Sequence, residues 1–137
     1  MSEQSVDVVK GAYAAFAEGD VPGVLGMFAD EIEWYEAEGM PYGGLHRGGE
    51  VIVQKVFGPI SEDVEGFAVI AEEFMASGDS VAAVVRYTGT GKTTGKPLDL
   101  PVVHLWDLED GKAVRFRQFI DTMKFAEVVP AGTSVAG

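Results

Sequence analysis

The chain has 137 residues, 47 % hydrophobic and 23 % charged, which suits one globular domain with a sizeable core and is too short for several. Ten Lys+Arg against twenty-two Asp+Glu leave a formal charge of −12, which repels nucleic acid and anionic lipid, so neither nucleic acid nor a membrane is an expected partner. With no cysteine there is no disulfide framework, thiolate nucleophile or Cys-based metal site, and with no asparagine there is no N-glycan acceptor.

Val6, Val9, Tyr13 and Phe16 recur at helical spacing and Gly19 stops the pattern, which predicts a first helix. Asp20 can cap a second, with Pro22 tolerated in its first turn and Val21, Val24, Leu25 and Phe28 as its apolar stripe. From Glu31 to Glu36 the pattern alternates, placing Ile32, Trp34 and Glu36 on one face of a short strand. The stretch from Gly39 to Gly49 is too rich in glycine for regular structure. It contains Tyr42, His46 and Arg47, residue types that bind ligands, so a ligand-facing loop is expected there. Ile52, Val53, Val56, Phe57 and Ile60 then return to helical spacing, with Pro59 marking the end of a third helix.

Strands are predicted over residues 65–76, 80–90, 97–108 and 113–125, joined as antiparallel hairpins through Gly78-Asp79, Gly89 to Gly95 and Glu109-Asp110-Gly111. The run Gly89-Thr-Gly-Lys-Thr-Thr-Gly-Lys96 has the flavour of a phosphate loop, but it lies between two strands and lacks the glycine spacing. Helices first and strands after predict an α+β domain with helices on one face of an antiparallel sheet. Residues 1–130 form that single domain, and the small, aperiodic residues 131–137 are expected to be a flexible tail. No run approaches the ~18 apolar residues of a membrane span, and the first residues lack the basic and apolar regions of a secretion signal. A soluble cytoplasmic protein is the expectation.

The last hairpin points to a site. A three-residue Glu109-Asp110-Gly111 loop pairs Leu108 with Lys112, His104 with Phe116 and Val102 with Gln118. One face then carries Val102, His104, Trp106, Leu108, Val114, Phe116, Gln118 and Ile120, and should lie under the helices. The other carries Asp99, Asp107, Arg115, Arg117 and Asp121, with Asp107–Arg115 and Asp121–Arg117 as charge pairs. A buried polar group without a partner costs about 1–3 kcal/mol, so His104 and Gln118 must bond each other, water or a ligand. Glu36, on an apolar strand face, is a candidate general base with a raised pKa, and Glu38 is the alternative. His46 and His104 are the only histidines and stand far apart in sequence, so a metal site would have to be built mostly from carboxylates, and no metal is expected.

Several segments carry a family resemblance in their order and spacing: Ala17 to Asp20, Met27 to Asp30, Trp34 to Gly44, His104 to Lys112 and Arg115 to Thr122. Over residues 4–129 the chain resembles the nuclear transport factor 2-like superfamily, and within it the SnoaL-like group related to ketosteroid isomerase and limonene epoxide hydrolase. The resemblance implies a cone-shaped roll of a curved, mainly antiparallel sheet wrapped around three N-terminal helices, an apolar pocket and a homodimer through the sheet. It places the carboxylate base of ketosteroid isomerase on Glu36 and that family's oxyanion donors on Ala12, next to Tyr13, and on Val103. It places the paired histidine and aspartate of SnoaL-type polyketide cyclases on His104 and Gln118, and the latter is also an aspartate position in limonene epoxide hydrolase.

The expected ligand is therefore a small apolar molecule, a cyclic carbonyl or a polyketide- or steroid-like compound. The expected chemistry is cofactor-free isomerase, cyclase or lyase chemistry with Glu36 or His104 as general base. Trp34, Tyr87, Trp106, Phe116 and Ile120 would line the pocket, Gln118 would orient the substrate, and Tyr42 or His46 would close the mouth. The alternative is a non-catalytic ligand-binding or dimeric interaction module.

Overall fold

The computed structural model describes residues 2–130, and the tail expected over residues 131–137 lies outside the described residues. Helix α1 (Ser2–Ala17) stops at Gly19, whose φ of 73° is the left-handed conformation that ends helices. Helix α2 (Val21–Leu25) begins at Asp20, whose carboxylate accepts a hydrogen bond from the Gly23 N–H at 3.0 Å. Phe28, expected in the α2 stripe, instead opens strand β1 (Phe28–Glu36). Nor is the glycine-rich stretch irregular throughout. Gly44–Arg47 forms β2, antiparallel to β1, with His46 opposite Trp34. The edge that β1 presents supplies hydrogen-bond partners that outweigh the low strand propensity of glycine.

Helix α3 (Gly49–Ile52), a π-helical turn (Val53–Phe57) and helix α4 (Gly58–Asp63) run on without a break, so Pro59 lies inside the third helical segment and does not end it. The wide turn ahead of it is the reason. The Gly58 N–H reaches back to the Val53 carbonyl, and Pro59 then sits in the first turn of α4, where its missing N–H costs little.

Strands β3 (Val64–Ser77), β4 (Ser80–Gly91), β5 (Pro97–Glu109) and β6 (Lys112–Ile120) follow as hairpins. The six strands form an open sheet in the order β2-β1-β6-β5-β4-β3, antiparallel at every pairing except β1–β6. The fold is thus α+β with a mainly antiparallel sheet. Its inner face buries Val81, Val85, Val102 and Phe116 against Val9 and Val24 of the first two helices and Ile52 and Ile60 of the third segment. Ile70, Met75 and Phe119 stay exposed on the outer face. No helix among the described residues is long and apolar enough to cross a membrane.

The final hairpin differs from expectation in two compensating ways. Asp110 and Gly111, with φ of 52° and 76°, form a two-residue turn that pairs Glu109 with Lys112; two positive φ values match the twist of the strands. Val114 then bulges between the pairs Leu108–Ala113 and Asp107–Arg115, so Ala113, not Val114, is buried on the inner face. As a result His104 lies opposite Gln118, not Phe116, and Val102 lies opposite Ile120, not Gln118. The strand also ends at Ile120, not at Phe125. Asp121 accepts from the Lys124 N–H at 3.1 Å and caps helix α5 (Thr122–Val128), so it is not the partner of Arg117. Arg117 approaches Asp107 at 3.7 Å, beside the Arg115–Asp107 pair at 2.8 Å.

Two glycines separate backbone strain from crowding. Gly95, with φ of 71°, has open space where a Cβ would stand, whereas at Gly89, with φ of 147°, a Cβ would lie 2.5 Å from Val64 Cγ1 and 2.9 Å from the Glu65 carbonyl. Gly95→Ala should lower unfolding free energy by about 1–2 kcal/mol from strain alone, and Gly89→Ala by about 3 kcal/mol or more with overpacking added, measured by urea denaturation.

Candidate functional site

Alternation along β1 turns Trp34 and Glu36 inward, and the pairing of β5 with β6 turns His104, Trp106, Phe116 and Gln118 to the same face. Under α1 and the third helical segment these strands enclose a cavity of about 50 Å³. That is room for a few waters, and it is smaller than the ~150 Å³ in which a benzene ring fits. Trp34 and Phe116 face each other across the parallel β1–β6 pairing and stack with 3.6 Å between ring centroids, and Trp106 meets both rings edge-on. Also lining the cavity, the half-buried ring of Phe16 meets Phe57 and Phe67 edge to face, at 5.4 and 6.3 Å. A ligand that carries a ring needs more room than this cavity offers, so lining side chains have to move.

Polar groups on this wall are few and bonded to one another. Glu36 is 2 % exposed. Its Oε1 accepts from the Trp34 indole at 2.9 Å and Gln118 donates to it as well. The loss of water outweighs both bonds and raises its pKa from 4.5 to about 7. His104 lies between two phenols, with Nδ1 2.6 Å from the Tyr13 hydroxyl and Nε2 2.8 Å from the Tyr87 hydroxyl. Burial lowers its pKa from 6.5 to about 3 and also raises those of Tyr13 and Tyr87. The Trp106 indole donates to Tyr13 at 2.9 Å, and Gln118 donates through Nε2 to Tyr87 at 2.8 Å while its Oε1 accepts from the Ala37 N–H at 3.2 Å.

Of the residues expected at the site, Trp34, Glu36, Tyr87, His104, Trp106 and Phe116 line the cavity. Gln118 stands behind the wall and joins Glu36 to Tyr87. Tyr42, His46 and Ile120 are not among the lining residues. Tyr42 is buried and donates to Asp63 at 2.9 Å, His46 bonds the Tyr42 carbonyl at 2.8 Å through Nε2, and Ile120 pairs with Val102 at the end of β6. Phe16, Phe57 and Phe67 line the cavity in their stead. Glu38 is exposed and accepts from the Tyr35 hydroxyl at 2.9 Å.

Sequence reasoning missed Tyr13, Phe16, Phe57 and Phe67 as site residues. Tyr13 carried a usable signal. A phenol on a core-facing helical stripe needs a hydrogen-bond partner, and His104 was a buried group in need of one. Among the described residues no three His, Asp or Glu side chains come together as metal ligands.

The family of SnoaL-like domains matches residues 9–116 of the chain. No curated protein matches it. Among solved structures, an NTF2-like protein of Burkholderia thailandensis E264 is 34 % identical with a TM-score of 0.88, over 91 % of this chain and 96 % of that one. TerC, co-crystallised with polyporic acid, is 27 % identical with a TM-score of 0.84, over 93 % and 99 %. A protein of unknown function with a cystatin-like fold from Xanthomonas campestris is 31 % identical with a TM-score of 0.79, over 88 % and 94 %.

Glu36 and His104 give stability opposite pH dependences. With its pKa raised from 4.5 to about 7, Glu36 keeps in the folded state a proton that the unfolded chain releases, so its contribution falls as pH rises from about 4.5 to 7. With its pKa lowered from 6.5 to about 3, His104 is protonated first in the unfolded chain, so its contribution grows as pH rises from about 3 to 6.5. The two slopes oppose each other between about pH 4.5 and 6.5. Glu36→Gln removes the first. Measured by urea denaturation from pH 4.5 to 7.5, the variant should gain about 3 kcal/mol relative to wild type, with the remaining carboxylates cancelling in the difference.

Proposed function

The chain belongs to the SnoaL-like domain family, with an NTF2-like fold, and from that premise we propose that it binds a small, largely apolar carbonyl compound and moves a proton on it without a cofactor, using Glu36 as general base. The observation that carries this reading is a carboxylate buried in an apolar cavity wall, with its pKa lifted to about 7. Such a group is partly ionised at neutral pH and basic enough to take a proton from carbon next to a carbonyl. His104 is a poor rival for that role, because both ring nitrogens are bonded to phenols and its pKa has fallen to about 3. Gln118, whose amide holds Ala37, Glu36 and Tyr87, does not exchange protons at neutral pH, which favours isomerase or lyase chemistry over a histidine–aspartate cyclase.

The ligand class draws support from the aromatic wall and from the co-crystallisation of TerC with polyporic acid. The volume of about 50 Å³ favours small cyclic ketones and enones over steroids, and even these need lining rings to swing aside. It also favours the second reading, binding without turnover. Exchange of carbon-bound hydrogen for deuterium in cyclopentanone and cyclopentenone, followed by proton NMR, separates the two. The catalytic reading requires wild type to exceed buffer and Glu36→Gln to be slower by about 10²–10⁴-fold, with the wild-type rate rising through pH 7 and then levelling. Equal rates in wild type and variant would reject Glu36 as the base.

We also propose a homodimer through the outer sheet face. Ile70, Met75 and Phe119 are each about half exposed there, an apolar surface that association would cover. Light scattering should give twice the chain mass for wild type and one chain mass for Phe119→Glu.

A further inference from the structure

Trp106, Tyr13, His104, Tyr87, Gln118 and Ala37 form one continuous row of hydrogen bonds beside the cavity. Both ends of the row are fixed donors. The Trp106 indole offers only an N–H, and the Ala37 backbone N–H holds Gln118 Oε1, which turns the amide NH₂ toward Tyr87. Each phenol oxygen therefore already accepts one hydrogen bond from outside the centre of the row. In the centre remain three hydrogens, those of the two phenols and the single N–H of neutral His104. Only two contacts, Tyr13–His104 and His104–Tyr87, are there to take them.

One hydrogen is left over, and it must belong to a phenol. If Nδ1 carries the imidazole proton, it donates to Tyr13, Nε2 accepts from Tyr87, and the Tyr13 hydroxyl hydrogen is free. If Nε2 carries it, Nε2 donates to Tyr87, Nδ1 accepts from Tyr13, and the Tyr87 hydroxyl hydrogen is free. Neither hydroxyl has another partner among the described residues, and both tyrosines line the cavity.

We infer that Tyr13, His104 and Tyr87 always present one phenolic O–H to the cavity, from either tyrosine according to the tautomer of His104, and that this donor selects ligands bearing an acceptor oxygen, a carbonyl or its enolate. The donor stands on the hydrogen-bond geometry alone; its use on an enolate rests on the proposed proton transfer by Glu36. In that step the Glu36 carboxylate takes the proton from carbon and the C–H electron pair moves onto the carbonyl oxygen, which keeps its hydrogen bond from the phenol as charge develops. Return of the proton from Glu36 to the same carbon, or to a conjugated one, restores the carboxylate. His104 is a positioning residue here. It touches no reacting atom, and its two tautomers let the donor shift between two points of the wall without creating a charge.

Nitrogen-15 NMR of histidine-labelled protein tests this without any ligand. A His46→Gln background leaves His104 as the one histidine. Tyr13→Phe removes the partner of Nδ1, and because an orphaned N–H costs more than an orphaned lone pair, the Nε2–H tautomer should be pinned. Tyr87→Phe should pin the Nδ1–H tautomer by the same logic. The expected result is a neutral imidazole at pH 7 throughout, with opposite tautomers in the two variants. The same tautomer in both, or a charged imidazole in wild type, overturns the inference. Each variant decides alone, since each must show its own tautomer. Loss of Glu36 as base leaves this result untouched, and the reverse also holds, so the two failures are distinguishable.

Discussion

Strand β6 is paired on both edges, antiparallel to β5 and parallel to β1, and its register on each side decides which side chains share the inner face. On the β5 side Gln118 lies opposite His104; on the β1 side Phe116 lies opposite Trp34, two residues short of Glu36. Gln118 is therefore the side chain that reaches both halves of the site, with Ala37 and Glu36 on one side and Tyr87 on the other. A slip of one residue would turn Arg117 inward and carry Gln118 to solvent. An unpaired guanidinium in the core costs several kcal/mol, and Glu36 would lose one of its two donors. The Trp34–Phe116 stack and the bulge at Val114 oppose such a slip.

Withdrawal from water acts on the titratable groups of the cavity wall, raising the pKa values of Glu36, Tyr13 and Tyr87 and lowering that of His104. It disfavours the carboxylate of Glu36 and the imidazolium of His104 alike, so the first is lifted to about 7 and the second lowered to about 3. While the chain carries −12 overall, at neutral pH the cavity wall thus carries only the partial charge of Glu36. Phenols, an amide and two indoles supply its polarity, and in a region of low dielectric their hydrogen bonds are both stronger and more costly to leave unmade. A neutral histidine between two phenols is consistent with that setting. It keeps each hydroxyl oriented and adds no charge that would have to be solvated.

Much of this was legible in the residues, for reasons particular to each. Alternation along the last two strands placed His104 and Gln118 on one face even though the expected pairing was two residues out, because an even shift leaves faces unchanged. The Asp110-Gly111 pair itself announces a two-residue turn, but the bulge at Val114 depends on sheet twist and has no local signal. Strand β2 was illegible because four residues beginning with glycine become a strand only against the edge of β1. Pro59 misled because the π-turn before it is a tertiary accommodation. Tyr42 and His46 have the right chemistry in the wrong place, and Tyr13 the reverse: its position on a helical stripe signals apolar packing, while its hydroxyl is the part that matters.

The proposed chemistry depends on Glu36 being a carboxyl group that titrates near neutrality inside an apolar cavity. Carbon-13 NMR of side-chain carboxyl-labelled glutamate, with Glu36→Gln to identify the resonance, measures this directly. The resonance absent from the variant should titrate with a midpoint near pH 7. A midpoint near 4.5 would show that Glu36 is solvated and would remove the base from the site.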